Sequence, residues 1–358
     1  MQTRPTEGER LPLALGVLAD PHMFHEPLDI RVASPERMAQ QLERMLLIRR
    51  AEEQVAELVT LGEAKCPCHL AIGQEACAVG VAAAFRPGDR AFGAHRSHGH
   101  YLALDGDLDA MLGEILGKAT GCSGGMGGSM HLVDRGRGLL GTVPIVGTTI
   151  PMAVGAALAA RFEGRGAIAI SFFGDGATEE GVFHESMNLA ATYQLPVIFA
   201  CEHNLFSSHL HISLRQPTDC LSRYAAAHRV SYQVLDGNDV CAVTDAALHA
   251  AERARGGGGP TFLELVTYRW RGHVGPREDL DVGVKRSEEL DLWKKRDPIR
   301  RLQEAMIAAN VITPEEVDAM DKHSTMRVKE AVRRARAAPY PSPHVVLDCV
   351  YRPRARAQ

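Results

Sequence analysis

The most constraining feature of this chain is a pair of apolar runs separated by a helix-like stretch. The first run, residues 167–173, reads AIAISFF, and the second, residues 196–201, reads PVIFAC. Between them, residues 179–193 have the length and composition of a helix. A strand, a helix and a second strand in this order form a βαβ unit with parallel strands and a right-handed crossover.

Polar residues follow both predicted strands. Gly174, Asp175 and Gly176 come directly after the first run, and Asn204 follows the second. Open α/β sheets bind ligands beyond the carboxyl ends of their strands, and glycines let the backbone approach a phosphate closely. Carboxylate and amide oxygens suit Mg²⁺. The sequence therefore predicts a magnesium-diphosphate site; the alternative is a tight strand-to-helix turn in which Asp175 caps the helix.

Strand and helix signals alternate along the rest of the chain, which predicts an α/β fold with a doubly wound, mostly parallel sheet. Helices are expected over residues 38–61, 151–161 and 314–338, further strands over 230–235 and 261–268, and a glycine-rich loop over 113–147. These elements divide the chain into an N-terminal arm (1–34), an α/β domain (35–300) and a C-terminal helical tail (301–358).

Composition excludes several classes of protein. A net charge of -4 offers no attraction to nucleic acid or an anionic membrane. No apolar run reaches the roughly 18 residues of a membrane span, and the N-terminus looks like neither a secretory signal nor a transit peptide. We therefore expect a cytoplasmic protein whose eight cysteines are reduced. Cys66 and Cys68 lack a second ligand pair at zinc-like spacing.

Seven short motifs occur along the chain in a recognisable order. They are residues 69–76 (HLAIGQEA), 95–99 (HRSHG), 127–131 (GGSMH), 145–147 (IVG), 174–177 (GDGA), 201–204 (CEHN) and 268–273 (YRWRGH). In this set and order the chain resembles the alpha subunits of thiamine diphosphate-dependent 2-oxo acid dehydrogenases, of the pyruvate or acetoin type. The resemblance implies the thiamine diphosphate-binding fold.

The resemblance also assigns a metal and a ring-binding site. Asp175 and Asn204 would bind Mg²⁺ through their side chains, and Phe206 would bind it through its backbone carbonyl. The carbonyl of Pro144, a position that is often glycine in the family, and the N–H of Val146 would hold the aminopyrimidine ring.

For the diphosphate, the resemblance implies a contact with Arg96, whose planar, multi-donor head suits such an anion. His95 would lie beside it, at a position where the family commonly has tyrosine. Gly176 and Ala177 would offer backbone N–H groups at the start of a helix.

The catalytic residues implied by the resemblance are histidines. His69 and His273 would face the reacting ring of the cofactor, and His98 is a further catalytic candidate, together with His131. The loop after His273 lacks the serine that is phosphorylated in animal pyruvate dehydrogenases, so we do not expect regulation by such a kinase.

The implied activity is decarboxylation of a 2-oxo acid, or cleavage of acetoin, with transfer of the acyl unit to a lipoyl acyltransferase. In the resembling family the activating glutamate comes from a beta subunit, so we expect activity only in a two-alpha, two-beta heterotetramer. Two alternatives stay open: a biosynthetic enzyme that transfers a two-carbon unit to another acceptor, and a non-catalytic binding protein. The motifs do not identify the substrate, since one methylene changes selectivity by only about 1–3 kcal/mol.

Overall fold

A computed structural model describes residues 14–31, 33–281 and 285–348, and a parallel sheet lies at its centre. The strands are β1 (Arg90–Gly93), β2 (Leu139–Thr142), β3 (Ala169–Gly174), β4 (Val197–His203), β5 (Phe206–Ser207), β6 (Leu210–His211), β7 (Ser231–Asp236) and β8 (Thr261–Val266). Six of them form one sheet in the order β2-β1-β3-β4-β8-β7, with every neighbouring pair parallel, and β5 and β6 form a separate antiparallel hairpin. All six carboxyl ends therefore lie at one edge of the sheet.

Helices cover the sheet. They are α1 (Pro35–Thr60), α2 (Glu75–Ala82), α3 (His98–Ala103), α4 (Leu108–Ile115), α5 (Thr149–Glu163), α6 (Gly181–Thr192), α7 (Ser222–Ala227), α8 (Val240–Arg255), α9 (Arg286–Lys294), α10 (Pro298–Ala308), α11 (Pro314–Ala337) and α12 (Val345–Asp348). Short 3-10 turns occupy Gly16–Ala19, Gly128–Met130, Asp175–Glu179 and Ile212–Leu214. Within the described ranges, no helix is both long enough and apolar enough to cross a membrane.

Alternate residues of the central strands pack into two different hydrophobic clusters. Ile170 and Phe172 of β3 belong to the cluster that contains α1, α2 and α8, whereas Ala169 and Phe173 belong to the cluster that contains α5 and α6. Because both faces of the sheet are covered, its strands are apolar along their whole length, as the two runs in the sequence indicate. The predicted doubly wound α/β fold is confirmed.

Two strands of the sheet were not expected from the sequence. β1 and β2 have four residues each, and β2 lies inside the stretch predicted to be a glycine-rich loop. That part of the loop prediction is wrong. β2 is held by its parallel pairing with β1, in which Ala91 aligns with Leu139, and a contact of this kind leaves no local pattern in so short a strand.

The terminal segments pack on the same body as the sheet. Residues 1–13 of the predicted arm and 349–358 of the predicted tail lie outside the described residues. In the described part of the arm, Leu15 and Leu28 are buried, and the N–H of Leu28 donates to the carbonyl of Arg301 at 3.3 Å. The suggested boundary between residues 300 and 301 falls inside α10. Leu302 and Val328 belong to the same core as α1, so the helices after residue 300 complete this core.

Candidate active site

A crevice of about 160 Å³ lies at the carboxyl edge of the sheet. Gly174 of β3 pairs with Glu202 of β4, so Asp175 and Asn204 both follow directly on the ends of neighbouring strands. The residues that line the crevice include Gln74, His95, Arg96, His100, Val146, Gly174, Asp175, Gly176, Ala177, Glu202, Asn204, Phe206, Ser207, Ser208, Arg269 and His273. The structure thus brings together most of the site residues that the sequence singled out.

Asp175 is buried at the floor of this crevice, with 1% of its surface exposed. Its Oδ1 atom accepts no hydrogen bond from any described residue. Its Oδ2 atom forms an ion pair with Arg215, which also pairs with Glu179. A buried carboxylate oxygen without a donor is costly, so Asp175 is suited to a cation that satisfies it.

Asn204 presents a second oxygen beside the carboxylate. Its Nδ2 atom donates to Oε1 of Gln74 at 3.2 Å, which fixes the orientation of the amide. Its Oδ1 atom accepts the N–H of Phe206 at 3.2 Å. Phe206 begins the β5–β6 hairpin and lines the crevice, so all three predicted metal ligands lie at the same edge of the sheet.

Two buried arginines make one side of the crevice strongly cationic. Arg96 donates to the carbonyls of Leu70 and His273, and Arg269 donates to the carbonyl of Ser208. Neither forms an ion pair with a carboxylate in the described ranges. Burial lowers the pKa of Arg96 to about 10. Burial, together with the charge of Arg96, lowers the pKa of Arg269 to about 9. This pair of arginines without a directly bonded carboxylate is suited to a diphosphate, and the sequence does not assign Arg269 that role.

The backbone after Asp175 approaches the hairpin closely. A Cβ atom at Gly176 would lie 2.5 Å from Oγ of Ser207, so a side chain at this position would require Ser207 to move. Gly176 and Ala177 lie on the 3-10 turn Asp175–Glu179, and the helix that follows begins at Gly181 rather than directly after the motif. Their N–H groups therefore belong to a turn that precedes the helix.

Three histidines form a cluster against the cationic side of the crevice. The ring centroids of His69 and His95 are 4.6 Å apart, those of His69 and His273 5.0 Å, and those of His95 and His273 5.4 Å. Burial, reinforced by the charge of Arg96, lowers their pKa values to about 2, 3 and 4 for His69, His95 and His273 respectively. All three rings are therefore neutral at pH 7.

The structure does not bring His98 into the crevice. Its ring is completely buried, with Nδ1 2.8 Å from Oε2 of Glu52 and Nε2 2.8 Å from Oγ of Ser129. With both nitrogens engaged, the ring links α1 to the glycine-rich loop and presents no free nitrogen to a substrate. Nor does His131 line the crevice; its Nδ1 lies 2.8 Å from the carbonyl of Gly127 in the same loop.

A single carboxylate shapes that loop. Glu114 of α4 is buried, and its Oε2 atom accepts the N–H groups of Ser123 at 2.7 Å and Gly125 at 2.8 Å. Its Oε1 atom accepts those of Gly127 at 2.6 Å and Gly128 at 3.0 Å. The loop that contacts His98 is thus wrapped around one side chain, which no sequence motif identified.

The rim of the crevice is apolar and exposed. Val146 lines the crevice with 47% of its surface exposed, and Ile145 beside it is 68% exposed. Pro144 is half-buried and does not line the crevice. This side of the site is therefore open.

Sequence reasoning also missed an acid–base pair inside the crevice. Nε2 of His100 lies 2.9 Å from Oε1 of Glu202, and the His100 ring stacks on Phe172 at 4.1 Å. Glu202 lies within the CEHN motif, next to the predicted metal-ligand region, which is the signal that could have identified it. Arg215 offered no such signal, because its contact with Asp175 joins segments distant in the chain.

The lowered histidine pKa values predict acid sensitivity. A histidine whose pKa falls on folding binds more protons in the unfolded chain, so stability decreases as the pH drops below about 6.5 toward the folded value. For His95, with a folded pKa of about 3, the loss between pH 7 and pH 5 is about 1–2 kcal/mol. We expect His95→Phe to reduce the loss measured by urea unfolding by this amount. The matched control His249→Phe, at an exposed position on α8, should show the full loss; an equal loss in both variants would contradict the assignment.

Comparison with known proteins adds a family and relatives. The family model described as dehydrogenase E1 component matches residues 43–344. The alpha subunit of acetoin:2,6-dichlorophenolindophenol oxidoreductase from Bacillus subtilis is 37% identical over 309 residues, 86% of this chain and 92% of that protein. The subunit of the same name from Cupriavidus necator is 38% identical, covering 86% and 92%. The alpha subunit of the pyruvate dehydrogenase E1 component from Zymomonas mobilis is 38% identical, covering 87% of each chain.

Proposed function

This chain belongs to the dehydrogenase E1 component family, and on that premise we propose that it is the diphosphate-binding alpha subunit of a thiamine diphosphate-dependent enzyme. The enzyme decarboxylates a 2-oxo acid, or cleaves acetoin, and transfers the acyl unit to a lipoyl-bearing partner. One observation carries the proposal. Within a single crevice, the unsatisfied oxygen of Asp175 and the amide of Asn204 accompany two arginines that form no ion pair with any described residue.

The donor set fits a magnesium-bound diphosphate. Asp175, Asn204 and the carbonyl of Phe206 would supply the oxygen ligands that Mg²⁺ prefers. Arg96 and Arg269 would contact the diphosphate, which compensates the two buried positive charges. Thiamine diphosphate supplies the nucleophile and the electron sink of the reaction when it is bound.

Neutral histidines give this chain a means of moving protons. The Nδ1 atoms of His69 and His273 are buried and have no hydrogen-bond partner in the part of the chain that the structure describes. A neutral imidazole accepts a proton or a hydrogen bond at one nitrogen and donates a hydrogen bond from the N–H of the other, and a proton that it accepts can be returned in a later step. We place these two rings against the substrate oxygen and carboxylate, where such transfers are needed.

A partner completes the site. The crevice, at about 160 Å³, is smaller than the about 300–1,000 Å³ of typical ligand pockets, and its apolar rim at Ile145 and Val146 is uncovered. Of the acids that line it, Asp175 is assigned to the metal and Glu202 is engaged by His100. The small volume, the uncovered rim and the engaged acids support a beta subunit that covers the cofactor and supplies the activating glutamate in a two-alpha, two-beta assembly.

The competing biosynthetic reaction is not favoured. The relatives reported above are named as pyruvate dehydrogenase components or acetoin oxidoreductases, and none of these names describes transfer of a two-carbon unit to a biosynthetic acceptor. The same names leave pyruvate and acetoin as the two substrates to compare.

The decisive experiment reconstitutes the assembly. The chain is assayed with pyruvate or acetoin, thiamine diphosphate and Mg²⁺, either alone or co-expressed with its beta partner, and with or without a free lipoyl domain. We expect acylation of the lipoyl domain, followed by mass spectrometry, only when both partners are present. Full turnover by the isolated chain, or a condensed product that forms equally well without the lipoyl domain, would overturn the proposal.

A further inference from the structure

The histidine cluster has the composition of a metal site different from the oxygen site for magnesium. We propose that His69, His95 and His273 bind a divalent transition metal ion such as Zn²⁺ through three imidazole nitrogens. Imidazole nitrogen suits Zn²⁺ and its neighbours in the first transition row, whereas Mg²⁺ requires oxygen ligands.

The geometry carries this proposal. Each of the three residues offers one ligand nitrogen, and these nitrogens lie within 4.8 Å of one another. With a Zn–N distance of about 2.0–2.1 Å and tetrahedral angles, ligand nitrogens lie about 3.3–3.4 Å apart. Rotations of the rings that bring the nitrogens closer together are required to reach this spacing. His95 and His273 line the crevice, so a fourth coordination position is left open toward it.

Two buried nitrogens of the cluster also lack hydrogen-bond partners among the described residues. His69 is 7% exposed, and its Nδ1 atom has no hydrogen-bond partner among the described residues, as is also true of Nδ1 in His273. Coordination through Nδ1 would satisfy both of these buried atoms.

The surrounding charges favour an anionic fourth ligand. Arg96 lies next to the cluster, since its guanidinium donates to the carbonyl of His273 at 3.3 Å, and its positive charge opposes a bare dication. An anionic fourth ligand, such as chloride or hydroxide, reduces this repulsion. The carboxylate of Asp279 acts in the same direction, since it accepts the backbone N–H of His273 at 2.8 Å.

The two kinds of ligand should exclude each other. Under the proposed function His69 and His273 face the reacting ring of thiamine diphosphate, so the same side chains cannot coordinate an ion at the same time. The transition metal would then bind the cofactor-free protein and compete with cofactor loading.

The test uses Co²⁺, a spectroscopic substitute for Zn²⁺, added to the assembled protein after metal and cofactor have been removed. We expect one Co²⁺ per alpha chain, with visible absorption of a four-coordinate ion. His95→Phe should weaken binding by more than about 100-fold, beyond the 10–100-fold loss typical of second-shell changes, while its thermal unfolding shows that the fold persists. His249→Phe, outside the cluster, should bind normally. Because Co²⁺ binding is measured without cofactor, the result of this titration does not depend on the proposed function.

Several results would overturn the metal site. They are the absence of Co²⁺ absorption, equal affinity in His95→Phe and the unchanged protein, or a thiolate charge-transfer band, which would assign the ion to Cys66 and Cys68. A final arm adds thiamine diphosphate with Mg²⁺ and should release Co²⁺; this arm rests on the proposed function. Loss of Co²⁺ binding with normal cofactor binding would refute only the new site, and failure of cofactor binding with normal Co²⁺ binding would refute only the proposed function.

Discussion

Replacing Asp175 with alanine is expected to lower the affinity of the assembled protein for thiamine diphosphate by more than about 100-fold in the presence of Mg²⁺, since even second-shell changes cost 10–100-fold. The variant removes the buried oxygen that no described residue satisfies, and with it the charged member of the metal site. Isothermal titration with cofactor and Mg²⁺ measures the loss directly. Affinity within a few-fold of the unchanged protein would mean that the metal is held elsewhere.

The control for this variant separates binding from folding. Asp175 is paired with Arg215, so its removal leaves the guanidinium with Glu179 and the carbonyl of Leu210 as its partners among the described residues. Asp175→Asn preserves the shape of the side chain and should show the same direction of change in cofactor affinity. Circular dichroism and thermal unfolding of both variants then show whether the sheet persists. A loss of binding that appears only in variants that unfold would not support the metal assignment.

The largest effect on stability is expected from Glu114→Ala. This change removes the acceptor of four backbone N–H groups in the glycine-rich loop, those of Ser123, Gly125, Gly127 and Gly128. These N–H groups belong to half-buried residues, and each donor left without a partner and out of reach of water costs about 1–3 kcal/mol. We therefore expect a loss of at least about 4 kcal/mol in the free energy of unfolding, even if water reaches part of the opened loop. Urea unfolding measures it.

Two companion variants test the cause. Glu114→Gln retains the volume of the side chain but replaces one acceptor oxygen with an N–H donor, so it should also be clearly destabilised. Glu185→Ala changes an exposed glutamate on α6 and should alter stability by less than about 0.5 kcal/mol. If Glu114→Gln behaved like the exposed control, the loop would not depend on the carboxylate.

The sequence predicted those parts of the molecule that are encoded by local pattern. β3 and β4 were recognisable because strands buried on both faces are continuously apolar, and Asp175 and Asn204 follow from the register of these two strands. The environment of His98 was not predictable in the same way, since Glu52 and Ser129 approach it from distant parts of the chain. Its motif suggested catalysis, whereas its contacts are those of a buried link.

The sequence does not predict which buried charges have an oppositely charged partner. Arg269 lies inside a recognised motif, yet only the folded structure shows that it and Arg96 are buried and form no ion pair within the described part of the chain. The clustering of His69, His95 and His273 likewise depends on three segments meeting at one edge of the sheet. Residue type and spacing do not report such burial, because it arises from the packing of the whole domain.

The ion pair between Arg215 and Asp175 has a consequence for how the protein loads its metal. The carboxylate already has an internal counterion, so an incoming divalent ion exchanges with a guanidinium, and its net affinity is the difference between two competing cations. Arg215 follows the β5–β6 hairpin and the short turn Ile212–Leu214. Binding of the metal and the position of the segment that carries Arg215 are therefore coupled in one equilibrium.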